Sequence, residues 1–224
     1  MSKHNMIGGI DEAGRGPVIG PMVICGISFN EELVGVLMDI GVKDSKKLSR
    51  KAREEIVRKL SNLDVKVVLR EVSAQEIDER FENGMNLNDL ELIEIGHIVK
   101  ELGVRRVYID CPDVNVSRFK SKLYRIVGEN YDLTVAHKAD LIYPAVSLAS
   151  IVAKVRRDEL IEKIKEIYGD FGSGYPSDYR TVEFLKEWYR KFKSWPPFVR
   201  KSWATTDFIS KEVEKRQAHI DDFY

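Results

Sequence analysis

The chain is short of several things, and each shortage removes a class of function. Of its 224 residues only two are cysteine and four histidine. Cys25 and Cys111 each follow a strand-like run and have no partner at metal-ligand spacing. That excludes a disulfide framework and a thiolate zinc site, and leaves two reduced, structural thiols of a cytoplasmic protein. No apolar run reaches the length of a membrane-spanning helix, and residues 1–6 lack the apolar core of a secretory signal, so no membrane contact is expected. There is no P-loop and no dinucleotide fingerprint; Gly14-Arg15-Gly16 is too short for either. Net charge is absent too, with 36 basic residues against 36 acidic. No global field draws in nucleic acid, and any such binding has to come from local basic patches. Hydrophobic residues at 43% and charged residues at 32% describe an ordinary globular chain with one full core and room for a small appendage.

Against that background one stretch stands out. An apolar run near the start ends in two adjacent acids, Asp11 and Glu12, and is followed by Ala13-Gly14-Arg15-Gly16-Pro17-Val18-Ile19-Gly20-Pro21. Gly and Pro at this density predict a tight turn, and the apolar run Val18 to Phe29 makes the whole a β-hairpin. Two ionised carboxylates at a strand end repel each other unless a cation lies between them or water reaches them. The glycines around Arg15 leave bare backbone N–H groups that a ligand can approach closely.

Further along, helical spacing covers Glu31 to Ile40, and Ser49 caps a helix over Arg50 to Leu60. Between them Asp44-Ser45-Lys46-Lys47-Leu48 is polar and basic, placed to meet phosphates at a helix entrance. Val65 to Val72 alternates as a strand, and Ser73 with Glu76 forms a capping box for the next helix. Asn86 to Leu102 reads as a long helix stopped at Gly103. A strand over Arg105 to Asp110 ends on an acid, a helix covers Ser117 to Val127, and a strand over Tyr131 to Ala136 runs into His137-Lys138-Ala139-Asp140. From Pro144 a long helix continues to about Tyr168. The fold class is therefore α/β, with a mixed five-stranded sheet flanked by helices. In such sheets strand ends converge on one crevice, which would gather Asp11, Glu12, Asp110 and Asp140. Four carboxylates in one place need cations, and a pair of Mg²⁺ or Mn²⁺ ions suits an all-oxygen site. Two such ions roughly 4 Å apart clamp the attacking and leaving oxygens of a phosphodiester.

At these residues the sequence resembles a known family, ribonuclease HII, the type 2 ribonuclease H. The hairpin motif is matched first, and Asp44-Ser45-Lys46-Lys47-Leu48, Tyr108-Ile109-Asp110, Lys138-Ala139-Asp140, Ser147 to Asp158 and Gly172-Ser173-Gly174-Tyr175-Pro176 follow in order. The resemblance implies a ribonuclease H-like fold with Asp11, Glu12, Asp110 and Asp140 as catalytic, metal-binding carboxylates. It implies that the backbone of Gly14, Arg15 and Gly16 senses a ribose 2′-hydroxyl, and that Tyr175 stacks on the sugar beside the RNA–DNA junction. Ser45, Lys46 and Lys154 are expected to contact substrate phosphates, while His137 is more simply structural. The implied activity is cleavage of the RNA strand of RNA/DNA hybrids, and of duplex DNA at embedded ribonucleotides, leaving 3′-hydroxyl and 5′-phosphate ends.

Beyond residue 178 the composition shifts. Tyr179 to Lys193 is an amphipathic helix, Trp195-Pro196-Pro197 breaks it, and a last helix is expected over Thr206 to Arg216. The aromatics read as the core of a small C-terminal helical appendage, and Arg190, Lys191, Lys193, Arg200 and Lys201 as its contact with the duplex backbone. The Trp-Pro-Pro and Arg-Lys-Ser-Trp segments resemble archaeal-type members of the family. The tail from Gln217 to Tyr224 resembles the peptide by which replication proteins bind the sliding clamp of the proliferating-cell nuclear antigen type. Ile220, Phe223 and Tyr224 would be the apolar anchors and Gln217 the polar one. The expected organisation is a core over 1–178, an appendage over 179–216 and a clamp-binding tail over 217–224, in a monomer. Two other readings are open: a non-catalytic hybrid-binding module recruited by the clamp, and a DNA-directed nuclease of related fold. A type 3 enzyme is disfavoured because no domain precedes the hairpin in this sequence.

Overall fold

A computed structural model describes residues 5–42 and 48–221, and the side chains of these apart from 81 and 216–221. Ser45 and Lys46, together with Phe223 and Tyr224, lie outside the described residues. The elements run β1 Met6–Ala13, β2 Met22–Asn30, α1 Val34–Asp39, α2 Arg50–Leu60, β3 Val65–Val72, α3 Ala74–Glu82, α4 Leu87–Leu102 and β4 Arg106–Asp110. They continue with α5 Val116–Val127, β5 Asp132–Ala136, a 3₁₀ turn Ala139–Leu141, α6 Pro144–Tyr168, α7 Tyr179–Phe192 and α8 Ala204–Asp221. The five strands form one sheet in the order β3-β2-β1-β4-β5. β1 is antiparallel to β2 and parallel to β4, and β4 is parallel to β5, so the sheet is mixed as the order of elements predicted. None of the described helices is long and apolar enough to cross a membrane.

Local chemistry explains most of the boundaries. Ser49 accepts from the Ala52 N–H at the start of α2, and Asn86 from the Asp89 N–H at the start of α4. Ser73 and Glu76 exchange both bonds of a capping box, at 2.8 and 3.1 Å, which opens α3. Two boundaries differ from expectation. β2 begins at Met22 rather than Val18, so residues 14–21 form an open loop instead of a tight turn. Val18 and Ile19 are drawn away from β2 because Ile19 bridges to Val199 and both Val18 and Ile19 donate to the Gly174 carbonyl. The last helix also runs on, and its backbone is helical through Asp221 rather than ending at Arg216.

The chain packs as two units, each with its own core. The first draws on Met1–Ala13, Val23–Glu71 and Met85–Asp158; the second on Gly14–Met22, Val72–Gly84 and Glu159–Tyr224. This partition by packing falls elsewhere than the sequence boundary at 178/179, because the hairpin loop and α3 belong with the C-terminal helices.

In the first unit the sheet is covered on both faces, and glycines mark where the helices come closest. A Cβ on Gly26 would meet Ile98 of α4 at 2.1 Å. A Cβ on Gly9 would meet the backbone of Ala145, at the start of α6, at 2.2 Å. Gly9 and Gly26 belong to opposite faces, since Gly26 pairs with Ile10 and successive side chains alternate. The small residues at the start of α6 are thus explained by close packing on β1. In the second unit Val18, Ile19, Ile161, Phe171, Leu185 and Phe198 form the centre of a separate core, ringed by Phe184, Trp195 and Trp203. Of the aromatics after residue 178, Phe184, Tyr189, Trp195, Phe198 and Trp203 pack in or against this core, as their spacing suggested, whereas Tyr179, Phe192 and Phe208 are exposed.

Gly9→Ala should cost about 3 kcal/mol of stability, because the added methyl meets helix backbone that cannot rotate away. Gly35→Ala, in exposed α1 with nothing within 4 Å, should instead gain roughly 0.5–1 kcal/mol. Denaturant midpoints of the two variants check both signs.

Candidate active site

Register places the acids. β1 and β4 are parallel with Ile10 opposite Ile109, so Asp11 and Asp110, one residue further on, emerge side by side at the carboxyl ends of their strands. Asp110 in turn sits opposite Ala136, the last residue of β5. Lys138, in the left-handed conformation at φ 55°, turns the chain sharply there. The next residue, Ala139, donates its N–H to Asp110 Oδ1 at 2.6 Å. That bond ties the 3₁₀ turn carrying Asp140 to the strand end carrying Asp110.

Asp11, Glu12 and Asp110 converge, with one carboxylate oxygen of each within 4.8 Å of the other two. Asp140 is buried on its turn but lies outside that group. It lines a cavity of about 270 Å³ with Met38, Val42, Tyr143 and Ser147. Asp11 points to the α6 face of the sheet, the same face as Gly9. There it bonds Ser150 and also accepts the Glu12 N–H at 2.8 Å. Burial first, then the charges of Glu12 and Asp110, push its carboxyl well above the usual carboxylate range, against the pull of those bonds. Lys154 donates to Ser150 Oγ at 2.9 Å, so its ammonium stands one hydrogen bond behind the acids. His137 is exposed, with Nε2 3.4 Å from the Val114 carbonyl, in keeping with a structural role.

The donor set suits a hard divalent ion. Its three ligands are all carboxylates, they converge in a partly buried place, and their mutual repulsion is visible in Asp11. Cys25 pairs with Asp11 across the hairpin, but burial, followed by the Asp11 charge, pushes its thiol far up and leaves it protonated. Cys111 is likewise buried and unpaired with any disulfide partner.

The second unit holds the Gly14–Gly16 loop and Tyr175. Gly14 is buried at φ 85°, Arg15 is half-buried and Gly16 is exposed. Tyr175 comes to this loop, its ring edge 3.6 Å from where a Gly16 Cβ would stand. Gly16 and Tyr175, far apart in the sequence, are therefore neighbours. Arg200 corrects an expectation. It was placed among the surface cations that meet the duplex, yet it is 0% exposed and its guanidinium donates to the Gly14, Arg15 and Gly20 carbonyls. Its position directly after the apolar run Trp195-Pro196-Pro197-Phe198-Val199 was the available signal. Ser150 was also missed, because the small residues of α6 read only as packing.

A family model described as ribonuclease HII matches residues 8–206. Ribonuclease HII of Pyrococcus furiosus is 43% identical over 224 residues, covering 97% of this chain and 98% of the relative. The chain belongs to the ribonuclease HII family. Among solved structures, the ribonuclease H2 of Pyrococcus horikoshii is 43% identical with a TM-score of 0.85, covering 94% of this chain and 99% of that one. The PCNA:RNase HII complex of Archaeoglobus fulgidus contains a chain 42% identical with a TM-score of 0.81, covering 88% of this chain and 95% of that one. The ribonuclease H-like fold is thereby shown, and this ribonuclease HII family member is a nuclease.

The sign of the Asp11 shift makes a test. A carboxyl whose folded pKa is raised binds more protons folded than unfolded, so its contribution to stability declines as pH rises from the usual Asp value through the raised one. In chelator at pH 7.5, Asp11→Asn should therefore melt higher than wild type, and the gap should close as pH falls towards 4. Saturating Mg²⁺, at about 100 times its Kd, should add roughly 2.7 kcal/mol to wild type and little to the variant.

Proposed function

We propose that the protein is an endonuclease that hydrolyses the RNA strand of RNA/DNA hybrids and nicks duplex DNA on the 5′ side of embedded ribonucleotides. The products are 3′-hydroxyl and 5′-phosphate ends. The convergence of Asp11, Glu12 and Asp110 at adjacent strand ends carries this reading. Asp11, Glu12, Asp110 and Asp140 would hold a pair of Mg²⁺ or Mn²⁺ ions. Bound there, the ions supply activation of water and neutralisation of charge on the phosphodiester. The protein's share is to hold and aim the ligands. Ser150 and the Glu12 N–H fix one Asp11 rotamer, and Ala139 N–H fixes Asp110.

Selectivity for ribose falls to the loop that continues β1. Gly14, Arg15 and Gly16 offer main chain to the 2′-hydroxyl, the group that separates RNA from DNA at one site. Tyr175, 42% exposed, presents a ring face to the adjoining sugar. Ser45, Lys46 and Lys154 hold phosphates of the cleaved strand, and Arg190, Lys191, Lys193 and Lys201 meet the duplex backbone. A non-catalytic binding module would have no use for three mutually repelling carboxylates, and an all-DNA nuclease none for a bare-backbone loop against a tyrosine.

The tail is read as a sliding-clamp peptide. Gln217, Ile220, Phe223 and Tyr224 stand at the spacing of such a peptide in the sequence. The Archaeoglobus fulgidus relative, 42% identical, was solved as a complex with PCNA, which supports the assignment.

A duplex carrying one ribonucleotide should be nicked on its 5′ side only with Mg²⁺ or Mn²⁺ present, and the all-DNA duplex should stay intact. Asp140→Asn should lower that rate by more than about 100-fold, beyond the loss typical of an outer-shell residue. An unaffected rate would remove Asp140 from the site. Phe223→Ala with Tyr224→Ala should weaken clamp binding at least about 30-fold while nicking of free duplex is unchanged. Calorimetry with the purified clamp gives the number.

A further inference from the structure

Three successive carbonyl oxygens of the Gly14–Gly16 loop accept from just two side chains. Arg200 Nη2 donates to Gly14 O at 2.6 Å and Nη1 to Arg15 O at 2.8 Å, while Nε reaches Gly20 O at 3.0 Å. Trp203 Nε1 donates to Gly16 O at 3.1 Å. The indole also lies 4.8 Å from the Arg200 guanidinium, and Arg80 approaches the same ring at 5.2 Å. The segment bearing both residues is itself held. Asp78 takes the Lys201 and Ser202 N–H groups at 2.8 and 3.0 Å, and Arg80 reaches Ser202 Oγ at 3.4 Å.

This arrangement has a directional consequence. In a trans peptide unit the C=O and the following N–H point opposite ways, and no peptide of the described chain is cis. Holding Gly14 O and Arg15 O towards Arg200 turns the N–H groups of Arg15 and Gly16 to the other side. The third carbonyl precedes Pro17, which has no N–H. Two adjacent amides are therefore aimed together, beside the exposed Gly16 and the Tyr175 ring. A buried guanidinium is a costly way to fill space, since an apolar side chain of similar volume packs at least as well. What the planar fork adds is fixed angles between three donors.

We propose that Arg200 and Trp203 are positioning residues for ribose recognition: by gripping the loop's carbonyls they aim its amides, and so set how strongly the protein separates a 2′-hydroxyl from a deoxyribose. The proposal rests on reading Gly14–Gly16 as the 2′-hydroxyl sensor. Binding in chelator isolates recognition from cleavage, with two duplexes that differ in a single ribonucleotide as probes. Wild type should prefer the ribonucleotide duplex. Trp203→Phe keeps an aromatic ring near Arg200 and removes the donor to Gly16 together with part of the indole's bulk, so the preference should fall about two- to tenfold with affinity for all-DNA duplex unchanged. Arg200→Lys keeps the charge without the fork and should lose more, and Arg200→Gln should lose the preference altogether. Leu185→Ala, in the core of the same unit and in no contact argued for the loop, should lower the melting temperature with the preference intact. If Trp203→Phe keeps the wild-type preference, or loses it only as far as Leu185→Ala does at an equal drop in melting temperature, the grip is structural and the proposal fails, whether or not the Arg200 variants fold. A wild type without any preference overturns the sensor itself, a result seen before any substitution is made.

Discussion

Carboxylates that repel one another cannot be gathered cheaply, and Asp11, Glu12 and Asp110 are gathered in a partly buried place. The cost is visible in Asp11, whose proton is held well above the ordinary range by burial and by its acidic neighbours. Everything around the cluster holds it together against that repulsion. Parallel pairing of β1 with β4 sets Asp11 next to Asp110, and two N–H groups and one serine hydroxyl fix the carboxylates in place. Lys154, behind Ser150, adds a positive charge at one remove. A hard cation placed among these carboxylates would relieve the repulsion, which is how such a cluster would gain affinity for a metal without a dedicated cage.

The two packing units hold different kinds of polar group. The sheet unit supplies negative charge on rigid strand ends, where position is dictated by register. The second unit supplies a main-chain surface, built from the hairpin loop, the Gly172–Pro176 turn and the segment after Phe198. Here the polar grip is made by cations on carbonyls, with Arg200 at its centre. The chain passes from one unit to the other between Ala13 and Gly14.

Much of this was legible from one chain. The capping box of Ser73 and Glu76, the N-caps Ser49 and Asn86, and the stop at Gly103 are local chemistry, and they appear where the residues placed them. The mixed sheet followed from hairpin-like strands giving way to strand–helix alternation. The misreadings share one cause. Val18 and Ile19 look like strand residues continuing β2, yet they leave it for a partner near Val199, far along the chain. Arg200 looks like its basic neighbours, and only the converging carbonyls of residues 14, 15 and 20 reveal a buried cation. Ser150 looks like one more small residue in a packed helix until Asp11 is placed opposite it.

Residue types and spacing alone singled out Asp11, Glu12, Asp110 and Asp140 as candidate ligands of an oxygen-loving divalent ion, and a glycine loop after Ala13 whose bare backbone a ligand can approach. Those are properties of side chains and of short-range backbone freedom, and they are written in consecutive residues. The tertiary structure decided that Asp140 stands off the tight group of three, that Tyr175 meets Gly16, and that Arg200 faces inward. Each of these depends on contacts between segments distant in sequence, where register and packing, rather than composition, choose the neighbour.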